Sequence, residues 1–416
     1  MPLTMGHPSR AALGASLHLI PPRATAVVLA GVAVVALGLA GAQPARAAEL
    51  KFRGLFDVVA AERGPAYDHN VLTRGDSPFD AYGLRIFADA KVGHQLQIFS
   101  QVVLRDATSP YVDGAYLQYS PSAGRDLHVL AGKVPWPIGT YAPRTYSNRN
   151  PLIGAPLMYQ YHTTLVWYEV VPSADVLLAT SGSGQYGIDY FGYQEGRGMP
   201  LVDDSYWDVG VTLIGSQRPL EYALGVVAGT PGWGSTSQDE NAGKSTVGRV
   251  GIAPLPGVRL GISGSHGPYL IESLRPELPA GRVATDYQQK LGMVDLELSA
   301  GHAELRAEAA RNVWESPNIG DLRTTSGYAE LKYAFSFGGY LAGRWDALRF
   351  GDITDAAGAQ RPWDSDVTRI EAGAGYRFNR DTAAKVIYQR TGLETVGAAE
   401  RHRTYSLVAA QLSVSF

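Results

Sequence analysis

The chain has 416 residues, with 48 Gly, 23 Tyr and no Cys, and a formal charge of -3. The missing cysteines exclude a disulfide framework and a thiolate metal site. The slight acidic excess argues against nucleic acid as a partner, because neutralising phosphates needs a basic surplus. Apolar residues are spread evenly, without low-complexity tracts or runs of like charge, which points to one folded domain.

Residues 1–47 read as a cleaved export signal. Arg10 and Arg23, with His7 and His18, make a basic start; "ATAVVLAGVAVVALGLAGA" supplies an apolar run, and "ARA" ending at Ala47 offers small residues where a signal peptidase cuts. The run is close to spanning length, so an N-terminal anchor is the competing reading. Residues 48–416 hold no other long apolar run, so the exported chain is either soluble or a barrel.

Strands begin at once with "LKFRGLFDVVA", leaving no room for a plug domain. Short links follow at "KVGH", "PSAGRD", "PSAD", "SQRPL", "APLPG", "AGHA", "SFGG" and "NRD". They alternate with mostly longer ones, such as Glu62 to Pro78, Thr230 to Lys244 and Gly351 to Asp366; the link near Asp106 to Tyr111 is short. Tight turns at one end and long loops at the other are the habit of a membrane barrel, and a Greek-key sandwich has no reason for it. Eight short turns imply an all-β antiparallel barrel of about eighteen strands, with sixteen as the alternative. That count treats "VLLATSGSGQYGIDYFGYQ" as one long strand with a glycine-rich irregularity. Either number leaves an aqueous interior.

The stretch "GKVPWPIGTYAPRTYSNRNPLIGAPLMYQYHTT", residues 132–164, fits neither period and contains no Asp or Glu. Pro135, Pro137, Pro143, Pro151 and Pro156 fix backbone angles and remove donors, which favours a definite path outside any ladder. Trp136, Tyr141, Tyr146, Tyr159 and Tyr161 are able to pack against an inner wall. By the strand count this is the third outer loop.

Further on, "YAELKYAF" sets Ala329, Leu331, Tyr333 and Phe335 against Tyr328, Glu330 and Lys332. In "TRIEAGAGYRF", Ile370, Ala372, Ala374, Tyr376 and Phe378 oppose Arg369, Glu371 and Arg377. In a membrane barrel the charged face is the wet inside, and terminal Tyr and Phe form girdles. The chain closes on "YSLVAAQLSVSF", where Val408, Ala410, Leu412, Val414 and Phe416 share one face. The opposite face carries Gln411, Ser413 and Ser415, with Leu407 and Ala409.

A final alternating strand ending on Phe resembles the C-terminal signature of Gram-negative outer-membrane barrels. That resemblance implies a bacterial outer-membrane location, lipid and lipopolysaccharide as surroundings, and homotrimers as in porins. In the general porins the third loop folds inward and narrows the channel, which is the expectation for residues 135–163; a place on the outer surface is the alternative. The segment "GKVPWPIG" is similar to the strand-to-loop segment of the phosphate-selective porin O and P family, over about eight residues. It departs from that pattern by inserting Pro137, so only Lys133 carries over, as a candidate lumen lysine.

An inward loop would bring Arg144 and Arg149 to a constriction where charge sets ion preference. With Lys133, Trp136 and Tyr141 they are the candidate constriction residues, joined by Arg53, Arg85, Arg105, Arg344 and Arg369 from the strands. Strand phase turns these inward with Arg249, Arg259, Arg306, Lys332, Arg377 and Lys385, against Asp57, Asp89, Asp295, Glu297, Glu304, Glu308, Glu330, Asp346 and Glu371, most of which pair across strands.

No G-x-S-x-G, Walker loop, H-E-x-x-H or G-x-G-x-x-G occurs in residues 48–416, and no cofactor is implied. Asp352, Asp355, Asp364 and Asp366, and Asp203, Asp204 and Asp208, suit calcium by chemistry but lack the spacing of a known calcium loop. Three functions compete. A porin for passive or weakly selective diffusion of small hydrophilic solutes, with a tendency to anions, comes first. A substrate-specific anion channel for phosphate or small carboxylates is second, and a barrel enzyme or adhesin without an open pore is third.

Overall fold

The structure, a computed structural model, describes residues 49–63, 81–105, 110–122, 124–181, 198–203, 207–233, 241–394 and 402–416. The proposed signal lies outside them. The first half of the chain forms β1 (Glu49–Arg63), β2 (Ala81–Val92), β3 (Leu96–Arg105), β4 (Tyr111–Tyr119), β5 (Asp126–Pro135), β6 (Trp207–Gln217), β7 (Leu220–Val227) and β8 (Ser245–Leu255). The second forms β9 (Val258–Pro268), β10 (Gln288–Ala300), β11 (Ala303–Ser316), β12 (Gly320–Ala334), β13 (Gly339–Phe350), the short hairpin β14 (Asp352–Thr354) and β15 (Gln360–Pro362), β16 (Asp366–Arg377), β17 (Thr382–Glu394) and β18 (His402–Ser415). Apart from the hairpin, each strand pairs antiparallel with the next, and β18 returns to β1, closing a barrel of sixteen strands.

The outward faces are those that alternation predicts. Leu331, Tyr333, Ile370, Val408 and Leu412 are exposed on the outside, whereas Glu330, Arg369, Glu371, Gln411 and Ser413 are buried inside. Near the short turns, Tyr333, Phe335, Phe337, Tyr376 and Phe378 form a run of exposed rings in mutual contact, with centroids 5.1–6.5 Å apart. At the closure, Gly54 and Phe416 exchange both backbone hydrogen bonds, at 2.7 and 3.0 Å. The Phe416 ring covers Gly54 so closely that a Cβ there would sit 2.2 Å from it, so any larger residue at 54 would turn the ring aside.

Sixteen strands, not eighteen, follow from residues 164–181. "PSAD" is no turn between strands: the Ser173 hydroxyl accepts the Val176 N–H at 3.4 Å and caps a short helix, Ala174–Ala179. Val166, Val170, Val171, Leu177 and Leu178 have strand-like composition but are buried within the loop's own packing. The remainder of the expected long strand, residues 182–197, lies outside the described residues. The connection from β5 to β6 is therefore one loop, residues 136–206, the third at its end of the barrel. The link between β11 and β12, residues 317–319, is a second short one among the outer loops.

The described residues of the 136–206 loop from Trp136 to Leu165 pack against the inner face of the barrel wall. Trp136, Ile138, Tyr141, Leu157, Met158, Tyr159, Tyr161 and Leu165 join a core with inward residues of the wall such as Leu291, Trp314, Leu322, Leu348 and Val367. Leu152 and Ile153 form a second cluster with Val59, Ile387, Leu407 and Ala409. This explains the apolar residues on the inner face of β18, which water alone would leave without purpose. Complete burial of an aliphatic side chain contributes about 1.5–3 kcal/mol, so the second cluster alone holds the loop firmly. Leu152→Ala and Ile153→Ala should each cost about 2–5 kcal/mol of docking. The loop should then become cleavable by protease while the barrel keeps its heat-modifiable migration on a gel.

Candidate functional site

Gly132, whose φ of 127° only glycine tolerates readily, lies within β5; the strand stays paired with β6 as far as Pro135, and the prolines that follow carry the chain inward. Polar contacts then pin the loop to strands around the barrel. The Gly139 N–H donates to Ser263 Oγ at 3.1 Å, Tyr146 to Gln101 at 2.7 Å, and Asn148 to Ser415 at 3.0 Å. Ser147 donates to Asp57, and Tyr159 to Glu308. Lys385 Nζ donates to three loop carbonyls, of Ser147, Asn150 and Leu152, at 2.8, 2.6 and 2.9 Å.

Arg144 belongs to this anchoring set. Its guanidinium lies 2.9 Å from Glu330 and 2.6 Å from the Tyr328 hydroxyl, over the Tyr141 ring at 5.1 Å. Burial opposes its charge, but Tyr328, Glu330 and Glu308 outweigh it and raise its pKa above the ordinary arginine value. Arg344 is likewise buried, 3.3 Å from both Glu330 and Asp346, in contact with Glu371, and 3.4 Å from the Gly154 carbonyl. Arg369 is buried with Gln160 at 3.0 Å and Thr391 at 3.2 Å.

Two of the spaces toward the short-turn end are lined by residues of the loop. One, of about 650 Å³, lies against β1–β4 and includes Arg53, Tyr116, Tyr146 and Arg149 in its wall. The other, of about 510 Å³, lies against β8–β12 and β16. Pro143, Asn148 and Arg149 line both. Around the second runs a ladder of alternating sign: Asp295, Arg249, Glu221, Arg259, Glu297, Arg306, Glu304 and Lys332, each within 3.5 Å of the next. Its charges cancel. Arg149 and Arg377 stand beside it as a positive surplus: among the described residues neither has a carboxylate within ion-pair distance. Arg377 donates instead to the carbonyls of Asn148 and Arg380.

The ten sequence candidates thus separate. Arg149 and Arg53 share the first space, Arg53 being paired with Asp89 at 2.5 Å. Arg85 is held 3.7 Å from Asp57, beneath the Tyr146 ring. Trp136, Tyr141, Arg144, Arg344 and Arg369 are buried in the docking surface and anchor the loop. Lys133 sits opposite Val209 in the register, on the outward face, and donates to the Val112 carbonyl at 2.9 Å. The side chain of Arg105 lies outside the described residues. The reading from sequence passed over Phe87, Phe99 and Tyr116, although rings on the inward phase of strands that otherwise turn Arg and Asp inward were a usable signal. Asp364, Asp366 and Asp208 are engaged by backbone N–H groups of Thr164, Phe350 and Gly229 at 2.6–2.8 Å. Among the described residues no three His, Asp or Glu converge as metal ligands.

No family model and no curated protein matches the chain. Solved structures do. The anion-selective porin from Comamonas acidovorans superposes with a TM-score of 0.55 at 11% identity, over 89% of this chain and 100% of that one. Salmonella typhi OmpF, in complex with daunomycin, gives 0.55 at 13% over 88% and 97%. OmpT, an outer membrane protein of Vibrio cholerae, in its trimer form gives 0.53 at 11% over 89% and 100%. Together with the outward apolar face and the closed sheet, this likeness defines a porin-like β-barrel of the bacterial outer membrane.

Replacing Arg144 by Met would take from buried Glu330 one of its two arginines, leaving Arg344, and from the Tyr328 hydroxyl its guanidinium, at about 1–3 kcal/mol. Arg149→Gln removes a charge that no carboxylate holds. Thermal unfolding and protease sensitivity of the loop should change clearly in the first variant and hardly in the second.

Proposed function

We propose that the chain is a non-enzymatic outer-membrane porin, passing small hydrophilic solutes with a preference for anions. The observation that carries this reading is the unbalanced pair Arg149 and Arg377, set beside an otherwise neutral ladder where loop and wall approach each other. Fixed charge at a narrow, poorly screened section governs which ion enters, whereas paired charges only solvate the wall. One of the structural neighbours is an anion-selective porin, which agrees with the assignment. A trimeric assembly within lipid and lipopolysaccharide is part of the same proposal, in keeping with the trimer form of the Vibrio cholerae neighbour.

One observation favours the reading without an open pore: loop residues from Trp136 to Leu178 form one apolar cluster with the inner wall and occupy lumen space. Single-channel recording separates the two. In a planar bilayer under a salt gradient, the wild type should conduct with a reversal potential of anionic sign. Arg149→Glu with Arg377→Glu should abolish or invert that sign while leaving a folded barrel. Unchanged selectivity would remove these residues from the filter, and absence of conductance would favour the closed barrel.

A further inference from the structure

The 650 Å³ space has a wall unlike that of the basic one beside it. Phe99 and Tyr116, opposite each other on β3 and β4, stack at 5.1 Å with their planes 20° apart. Trp207 continues the row 6.2 Å from Tyr116, and Phe87 meets Tyr146 of the loop edge to face at 5.5 Å. Burial pushes the Tyr146 phenol up to about 12, so it is neutral and donates to Gln101. These rings lie on the inner side of the wall, where a water-filled channel gains nothing from them.

The charges in the same wall nearly cancel. Arg53 is bound to Asp89, and Arg380 stands beside Asp381, which leaves Arg149 as the excess. An aromatic cavity without that arginine would suit an organic cation through its ring faces. With a free guanidinium at its edge the preference inverts: the planar fork pairs two oxygens of a carboxylate, and the rings accept a flat apolar body by offset stacking or edge-to-face contact. A volume of this order accommodates a ligand of one ring together with water.

We propose that this cavity binds small aromatic monocarboxylates, the carboxylate meeting Arg149 and the ring lying along Phe99 and Tyr116. The proposal names the solute class of the channel and rests on the porin reading. Its test therefore measures binding apart from conductance. The purified full chain, folded in detergent, is titrated calorimetrically with benzoate, acetate and benzylamine, and the same protein is recorded in a bilayer.

Saturable benzoate binding, with acetate and benzylamine much weaker, is the expected result. Arg149→Gln should abolish it, and Phe99→Leu with Tyr116→Leu should weaken it about three- to tenfold for each aromatic ring removed. A heat-modifiable gel shift establishes that each variant is folded. Equal binding of benzoate and acetate, or benzoate binding unmoved by the ring variants, overturns the proposal, since charge alone would then suffice. Stronger binding of benzylamine overturns it as well. Conductance without benzoate binding defeats this inference and spares the porin; benzoate binding without conductance supports the site and defeats the porin.

Discussion

Everything in this molecule depends on the rule that backbone N–H and C=O groups facing hydrocarbon have no partner except one another. A sheet placed in lipid must therefore close, and the closure falls between the first strand and the last, ending at the mutual hydrogen bonds of Gly54 and Phe416. Once the ring is complete, the pleat assigns every second side chain to lipid and the others to the lumen. The glycine beneath the Phe416 ring is the local concession that lets the last residue lie flat against its neighbour strand.

Closure also creates an inner surface larger than its own side chains can fill. This protein meets that with one loop, and the docking is both apolar and ionic. The ionic part divides sharply. Glu330 binds Arg144 and Arg344 together, and Lys385 satisfies three carbonyls; such groups are buried and would be costly to leave alone. Arg149 and Arg377 carry the same kind of charge without a carboxylate among the described residues within ion-pair distance.

Much of the barrel was legible in sequence because period-two alternation is local: Leu331 and Tyr333 against Glu330 and Lys332 identify both faces within a few residues. The C-terminal Phe was legible for the same reason. The strand number was overcounted because Val170, Val171, Leu177 and Leu178 have the composition of a strand but are buried in the packing of the loop, which only the tertiary structure reveals. The site was legible in part. That the 132–164 stretch lacks acids was plain, but the difference between Arg144 and Arg149 rests on Glu330, 186 positions away, and no local pattern encodes it. Only the eight-residue resemblance assigns Lys133 to the lumen; the alternation of β5, with Leu130 and Val134 inward, turns it outward beside exposed Val209.

The Lys385 clamp has a consequence for biogenesis. Its three acceptors precede it by 238, 235 and 233 residues, and Asp346, Arg369 and Glu371 also come late in the chain. The 136–206 segment leaves the ribosome long before the surface that receives it exists. Its full set of contacts therefore requires the last strands, which supply Lys385 and the wall around it. A barrel whose inner segment is held this way checks its own completion, because that segment finds all of its partners only when the last strands have taken their places.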